Sequence, residues 1–213
     1  MIQAVIFDLD GVISDTQKIK TQTSVDLIFD KYGVEMTHED YEERYSGMKT
    51  KQIFKDIFNR FDIEDDLNSF IEQRIVILNQ SIEKEVPLVP GSIELIDYFK
   101  SKNLSLGLAS GGMRYWVDLV LKKLNIRSKF DAVAYSDEVE VAKPDPEIYE
   151  LAAEKLRIEP QYCLVIEDAK NGMVAAKSAG MKCIGLVENT QDKSYPADIL
   201  ISSLKDFDFS KVL

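Results

Sequence analysis

The 213-residue sequence predicts an α/β fold: a doubly wound, mainly parallel, Rossmann-like sheet core with an inserted α-helical cap domain. Three observations carry that expectation. Short apolar, β-branched runs recur along the chain and end in small or acidic residues. Segments of helical period separate most of them. One long stretch, residues 16–84, is helical in period throughout and breaks the alternation.

The apolar runs lie at residues 4–7, 104–109, 132–135, 162–166, 183–187 and 199–201. Each is apolar on both faces, as buried parallel strands are, where half-exposed hairpins would alternate with polar residues. Between them, residues 93–102 place Ile93, Ile96 and Phe99 on one helical face. Residues 116–124, 146–156 and 172–179 complete the helical set. Strands alternating with helices argue a doubly wound sheet. In the inserted block the helical faces are Val25, Ile28 and Phe29, then Ile53, Phe54, Ile57 and Phe58, then Phe70, Ile71, Arg74 and Ile75. Gly33 and Gly47 fall at helix junctions, and Pro87 with Pro90-Gly91 marks the return to the core. The expected division is therefore 1–15 and 86–213 for the α/β core, and 16–85 for the helical cap.

Composition narrows the function classes. Apolar residues at 45% and charged residues at 30% are ordinary for a soluble globular protein. No run approaches the roughly 20 apolar residues that span a bilayer. The first seven residues lack the marks of a signal peptide and read as a core strand, so a cytoplasmic monomer is expected. A net charge of −11 repels a phosphate backbone, which argues against nucleic acid as a partner. Cys163 and Cys183 each sit in an apolar run and read as reduced core thiols. The single histidine, His38, lies in a polar stretch and reads as a surface residue, which argues against a Ser-His-Asp triad or a histidine-based zinc site.

The chemistry collects at strand ends, where open parallel sheets bind ligands. The first strand ends in Asp8-Leu9-Asp10-Gly11 and the second in Ser110-Gly111-Gly112. Lys143-Pro144-Asp145-Pro146 follows the third, and Glu167-Asp168 ends the fourth. Carboxylates so gathered repel one another unless a cation shares them, and hard oxygen donors suit magnesium. Asp8 and Asp168 would ligate Mg2+ directly, with the main-chain carbonyl of Asp10 as a third donor. Asp8 would attack phosphorus as a carboxylate nucleophile, and Asp10 would hand a proton to the leaving oxygen and later take one from water. Lys143 would neutralise Asp8 and the phosphoryl oxygens, while Ser110 and main-chain N–H groups such as that of Gly111 would grip them. Gly11 lets the backbone turn beside the phosphate. The substrate would be a small phosphorylated metabolite. Plainer roles stand beside these: Ser110 as a helix N-cap, Trp116 and Tyr115 as packing residues, and Lys18, Lys20, Lys49 and Lys51 as a solvated face.

These four segments, in this order, resemble the motifs of the haloacid dehalogenase-like hydrolase superfamily. Within it the chain is similar to the phosphoglycolate phosphatase and β-phosphoglucomutase-like branch. The resemblance implies Asp8 as nucleophile, Asp10 as general acid and base, and Lys143 as the third-motif lysine. It implies a direct metal contact from Asp168 and a water-mediated or supporting one from Glu167. It also places Thr16, after Asp15, where the branch often carries Ser or Thr at the start of the cap.

The departures discriminate within the branch. β-Phosphoglucomutases carry a cap histidine shortly after the Asp-Thr pair, where this chain reads Gln17-Lys18-Ile19-Lys20. They tend to place an arginine three residues after the cap glycine; here that residue is Thr50, flanked by Lys49 and Lys51. A lysine binds phosphate only as a point charge, without the bidentate fork of arginine. A phosphatase acting on a sugar phosphate or a phosphoglycolate-like ester is thus expected ahead of a phosphomutase. Dehalogenation is disfavoured because dehalogenases lack an acid at the position of Asp10. A non-catalytic module binding a phosphorylated ligand or a protein is the reading from a different class.

Overall fold

The computed structural model describes residues 1–45, 48 and 50–212. The chain divides into two compact units, Met1–Asp15 with Val86–Leu213, and Thr16–Glu85.

The first unit is built on six parallel strands: β1 (Ala4–Phe7), β2 (Ser105–Ser110), β3 (Ala132–Tyr135), β4 (Cys163–Glu167), β5 (Lys182–Leu186) and β6 (Ile199–Ile201). Their order is β3-β2-β1-β4-β5-β6. The chain winds outward in one direction from β1 to β3 and then in the other from β4, so the topological switch point falls between β1 and β4. Strands β1, β3 and β4 are buried along their whole length, as their two-faced apolar sequences require.

Strands β2, β4 and β5 are offset by one residue from the hydrophobic runs. The ladder continues through Ser110↔Tyr135 and Glu167↔Gly185, because main-chain hydrogen bonding, not apolarity, decides where a strand stops. Ser110 and Glu167 are thereby the last residues of their strands, held to the pleat of the sheet.

The second unit is four helices: α1 (Gln17–Tyr32), α2 (His38–Tyr45), α3 (Thr50–Arg60) and α4 (Leu67–Lys84). Gly33 closes α1 in the left-handed region, at φ 66°, and the Asp66 carboxylate caps α4 by accepting the Asn68 and Ser69 N–H groups. The unit has its own aromatic core, in which Phe70 packs edge-on to Phe54 and Phe58 with centroids 4.9 and 5.3 Å away. Phe29 does not join that core; it is exposed on the far side of α1. Arg74, grouped with the apolar face by its spacing, is buried and donates from Nε to Ser24 Oγ at 2.7 Å and from Nη2 to the Lys20 carbonyl at 3.1 Å.

Four helices flank the sheet: α5 (Ser92–Ser101), α6 (Arg114–Lys123), α7 (Glu147–Leu156) and α8 (Lys170–Ser178). On one face, Phe7 of β1 meets Phe99 of α5 and Phe130 at 6.1 Å each. On the other, Ala4, Ile6, Cys163 and Val165 pack with Ile148, Tyr149 and Ala152 of α7 and Met173 of α8. Both cysteines are free and buried within that second cluster. No described helix is long and apolar enough to cross a membrane.

Phe70 is fully buried among three aromatic neighbours. Phe70→Ala is expected to destabilise the helical unit by about 3–5 kcal/mol. Hydrogen exchange followed by mass spectrometry will show it as faster exchange across Thr16–Glu85.

Candidate active site

Side chains alternate across a strand, so the residues sharing a sheet face are set by register. Ala4, Ile6 and then Asp8 share the α7–α8 face with Cys163, Val165 and Glu167, given the pairing of Ile6 with Val165. The main chain keeps that alternation past the end of β1, because Asp8 N–H donates to the Ile166 carbonyl at 3.0 Å. A tight turn follows: Gly11 adopts φ +87° and donates to the Ser14 carbonyl at 2.8 Å, while Ile13 and Ser14 N–H groups both reach the Leu9 carbonyl. Any Cβ at Gly11 would overlap the Asp168 carboxylate. The glycine thus lets the end of β4 approach the turn after β1, and Asp8 and Asp168 stand on the two sides of the switch point.

Lys143 joins these segments. Its Nζ donates to Asp8 Oδ1 at 2.6 Å and to Glu167 Oε1 at 2.7 Å. Tyr149 OH lies 3.0 Å from the same nitrogen and donates to Glu167 Oε1 at 3.0 Å. Glu167 Oε2 accepts the Ala169 N–H at 2.8 Å, so both carboxylate oxygens are engaged. The loop that delivers Lys143 is pinned at its base. The Glu147 carboxylate accepts the N–H groups of Glu140 and Val141 at 2.8–3.0 Å, and the Asp145 carboxylate accepts the Glu147 N–H at 3.1 Å.

Burial raises the Asp8 carboxyl well above the usual carboxylate range against the pull of Lys143, and Glu167 and Asp10 add to the rise. Burial, then the charges of Asp8 and Glu167, raise Asp168 in the same direction. Burial works against the Lys143 charge, yet Asp8 and Glu167 outweigh it and hold the ammonium protonated. Burial, with the neighbouring carboxylates adding to it, thus disfavours the charged forms of Asp8 and Asp168 despite Lys143, the condition that a further cation relieves. Among the described residues no group of three or more His, Cys, Asp or Glu side chains could hold a metal ion. The donors fit a cation that takes few protein ligands and fills its shell with water and substrate oxygens, as magnesium does.

The other predicted residues fall as follows. Ser110 ends β2, buried, its Oγ accepting the Gly112 N–H at 3.0 Å. A Cβ at Gly111 would meet only open space. Asp10 bears electrostatically on Asp8. Thr16 is buried at the N-cap of α1, in the second compact unit. Lys49 lies outside the described residues.

Two site residues escape sequence reasoning. Tyr149 reads as one more apolar position of α7, since nothing local marks its hydroxyl as engaged. Gly172 reads as part of a helix, yet a Cβ there would overlap the Glu167 carboxylate. A glycine inside a helix is unfavourable by about 1 kcal/mol relative to alanine, and that cost was the available signal.

A doubly wound parallel sheet thus gathers carboxylates and a buried lysine at its switch point, and the chain leaves it after the first strand to form a helical unit. The chain belongs to the haloacid dehalogenase-like hydrolase family, which it matches over residues 5–186. It is 32% identical to a phosphorylated carbohydrates phosphatase of Thermotoga maritima, over 90% of this chain and 88% of that protein. It is 30% identical to a β-phosphoglucomutase of Bacillus subtilis, over 96% and 91% of the two chains. The solved structure of a Clostridium difficile β-phosphoglucomutase superposes with a TM-score of 0.84 at 28% identity, covering 100% of this chain and 96% of that one.

Helix propensity alone makes Gly172→Ala stabilising. The overlap with Glu167 predicts the reverse, a melting temperature several degrees below wild type in a calorimetric scan.

Proposed function

We propose that the protein is a cytoplasmic, magnesium-dependent phosphatase that hydrolyses a small phosphomonoester through an aspartyl-phosphate on Asp8. The observation that carries this reading is the Lys143 ammonium held between Asp8 and Glu167 beside Asp168, at the switch point of the sheet. Such an arrangement suits an anionic group arriving at a carboxylate nucleophile, because the ammonium offsets charge on both.

Asp8 attacks phosphorus, and the bond to the ester oxygen breaks. Asp10 donates a proton to that leaving oxygen, so the alcohol departs neutral. Asp10 then removes a proton from water, whose oxygen attacks the phosphoryl group and returns Asp8 to its carboxylate with release of inorganic phosphate. Lys143 stays protonated throughout and follows the charge from Asp8 onto the phosphoryl oxygens. Ser110 and the N–H groups of the turn after β2 orient those oxygens. Asp8, Asp168 and the Asp10 main-chain carbonyl would hold the magnesium ion, with Glu167 in a water-mediated or supporting role. An ion bound there would supply positive charge that offsets the repulsion between the carboxylate nucleophile and the phosphoryl oxygens.

The similarity to a phosphorylated carbohydrates phosphatase supports a sugar phosphate as substrate class. Residues 16–85 are the proposed substrate-selecting cap, with Thr16 and Lys49 as candidate contacts. Two buried free thiols suit a reducing compartment. A phosphomutase is the second reading, favoured by the likeness to β-phosphoglucomutases. It differs in returning the phosphoryl group to a sugar instead of to water.

Phosphate release from a panel of phosphorylated sugars and short phosphorylated acids, with magnesium, tests the proposal. Activity is expected on one or a few compounds, abolished by a chelator and restored by magnesium. Asp8→Asn should reduce it to background, and Asp10→Asn by roughly 10²–10⁴-fold. Wild-type rates in Asp8→Asn would remove the nucleophile assignment. Turnover that appears only with a bisphosphorylated sugar primer would favour the mutase.

A further inference from the structure

We propose that Tyr149 is a positioning residue, its phenol closing a hydrogen-bonded cycle that aims the Lys143 ammonium at Asp8; this rests on the reading of Lys143 as the phosphoryl-site cation. An ammonium has three N–H donors and no lone pair. Four acceptors surround it: Asp8 Oδ1 at 2.6 Å, Glu167 Oε1 at 2.7 Å, Tyr149 OH at 3.0 Å and the Ala109 carbonyl at 3.4 Å. The two carboxylates take the short, charge-assisted bonds. Distance assigns the third proton to Tyr149. The phenol can then only accept from the lysine, so its own proton goes to Glu167 Oε1, 3.0 Å away. Lysine, tyrosine and glutamate form a closed three-membered ring in which Lys143 donates twice, the phenol accepts once and donates once, and Glu167 Oε1 accepts twice.

The packing makes that ring rigid. Tyr149 is fully buried, and Lys143 Nζ lies 4.7 Å from its ring centroid, within range of a cation–π contact. Tyr149 rides on α7, whose first turn also holds the loop delivering Lys143 through Glu147. A phenylalanine would fill the same volume but return the third proton to the distant Ala109 carbonyl. The N–H set would then rotate about the Cε–Nζ bond, and the donor aimed at Asp8 would lose its fixed direction. Glu167 Oε1 would lose a donor at the same time.

The test uses the full chain and reads two quantities. One is hydrogen exchange of the Lys143 ammonium, followed by 15N NMR and assigned by its disappearance in Lys143→Arg; it needs no substrate. The other is kcat and KM on the phosphoester that the wild type hydrolyses. Tyr149→Phe is expected to speed ammonium exchange at least tenfold. It should lower kcat by roughly 10–100-fold with KM within about twofold, as a slightly misaimed catalytic group does. If Tyr149→Phe does not fold, Tyr149→Met removes the same phenol with a side chain that adapts to its surroundings and should speed ammonium exchange likewise. A hydroxyl that only fills the core would lower the melting temperature and move neither readout. Wild-type exchange in the phenylalanine variant, or unchanged kcat beside an active wild type, overturns the proposal. An inactive wild type with accelerated exchange in the variant would instead sink the phosphatase reading and leave Tyr149 in its role.

Discussion

The site depends on one interaction, the buried ammonium of Lys143 shared between Asp8 and Glu167. It ties together three segments far apart in sequence: the end of β1, the loop before α7 and the end of β4. A buried ion pair contributes little net stability once desolvation is counted, yet removing one partner typically costs about 3–5 kcal/mol because a charge is left stranded. The arrangement is therefore better understood as setting geometry than as holding the fold together. Stability comes instead from the two apolar faces of the sheet, where Phe7 meets Phe99 and Phe130 and where β1 and β4 pack on α7.

Topology explains why the charges meet at all. With strand order β3-β2-β1-β4-β5-β6, β1 and β4 are neighbours whose following segments diverge, which leaves a crevice beyond their carboxyl ends. Register then assigns faces. Asp8 and Glu167 fall on the side occupied by α7, so the lysine carried ahead of that helix and the tyrosine on it reach both. Two glycines make the approach possible, Gly11 against Asp168 and Gly172 against Glu167. A small residue at each point allows a carboxylate to lie where a methyl group would stand.

Much of this is legible in the sequence, and the reason is local. Six apolar runs, the first four followed by chemically distinctive residues, place Asp8, Ser110 and Glu167-Asp168 at strand ends and Lys143 in the segment after the third strand. Strand limits are less legible, because Ser110 and Glu167 are polar residues kept in the ladder by main-chain pairing. Phe29 misleads by its spacing on α1, which a marginally apolar helix tolerates at an exposed position. Tyr149 and Gly172 stay hidden because their roles depend on which strand lies beside which. A phenol on an apolar helical face and a glycine within a helix acquire meaning only once α7 and α8 are docked on the sheet.

In the proposed reaction Asp8 accepts the phosphoryl group while Lys143 holds it in place. Mixing the enzyme with its phosphoester, quenching in acid within a turnover and mapping peptides by mass spectrometry tests this directly. One added phosphoryl group is expected on the peptide carrying Asp8, labile to hydroxylamine and missing from Asp8→Asn. A phosphoryl group found on another residue, or turnover with that peptide unmodified at every quench time, would contradict it.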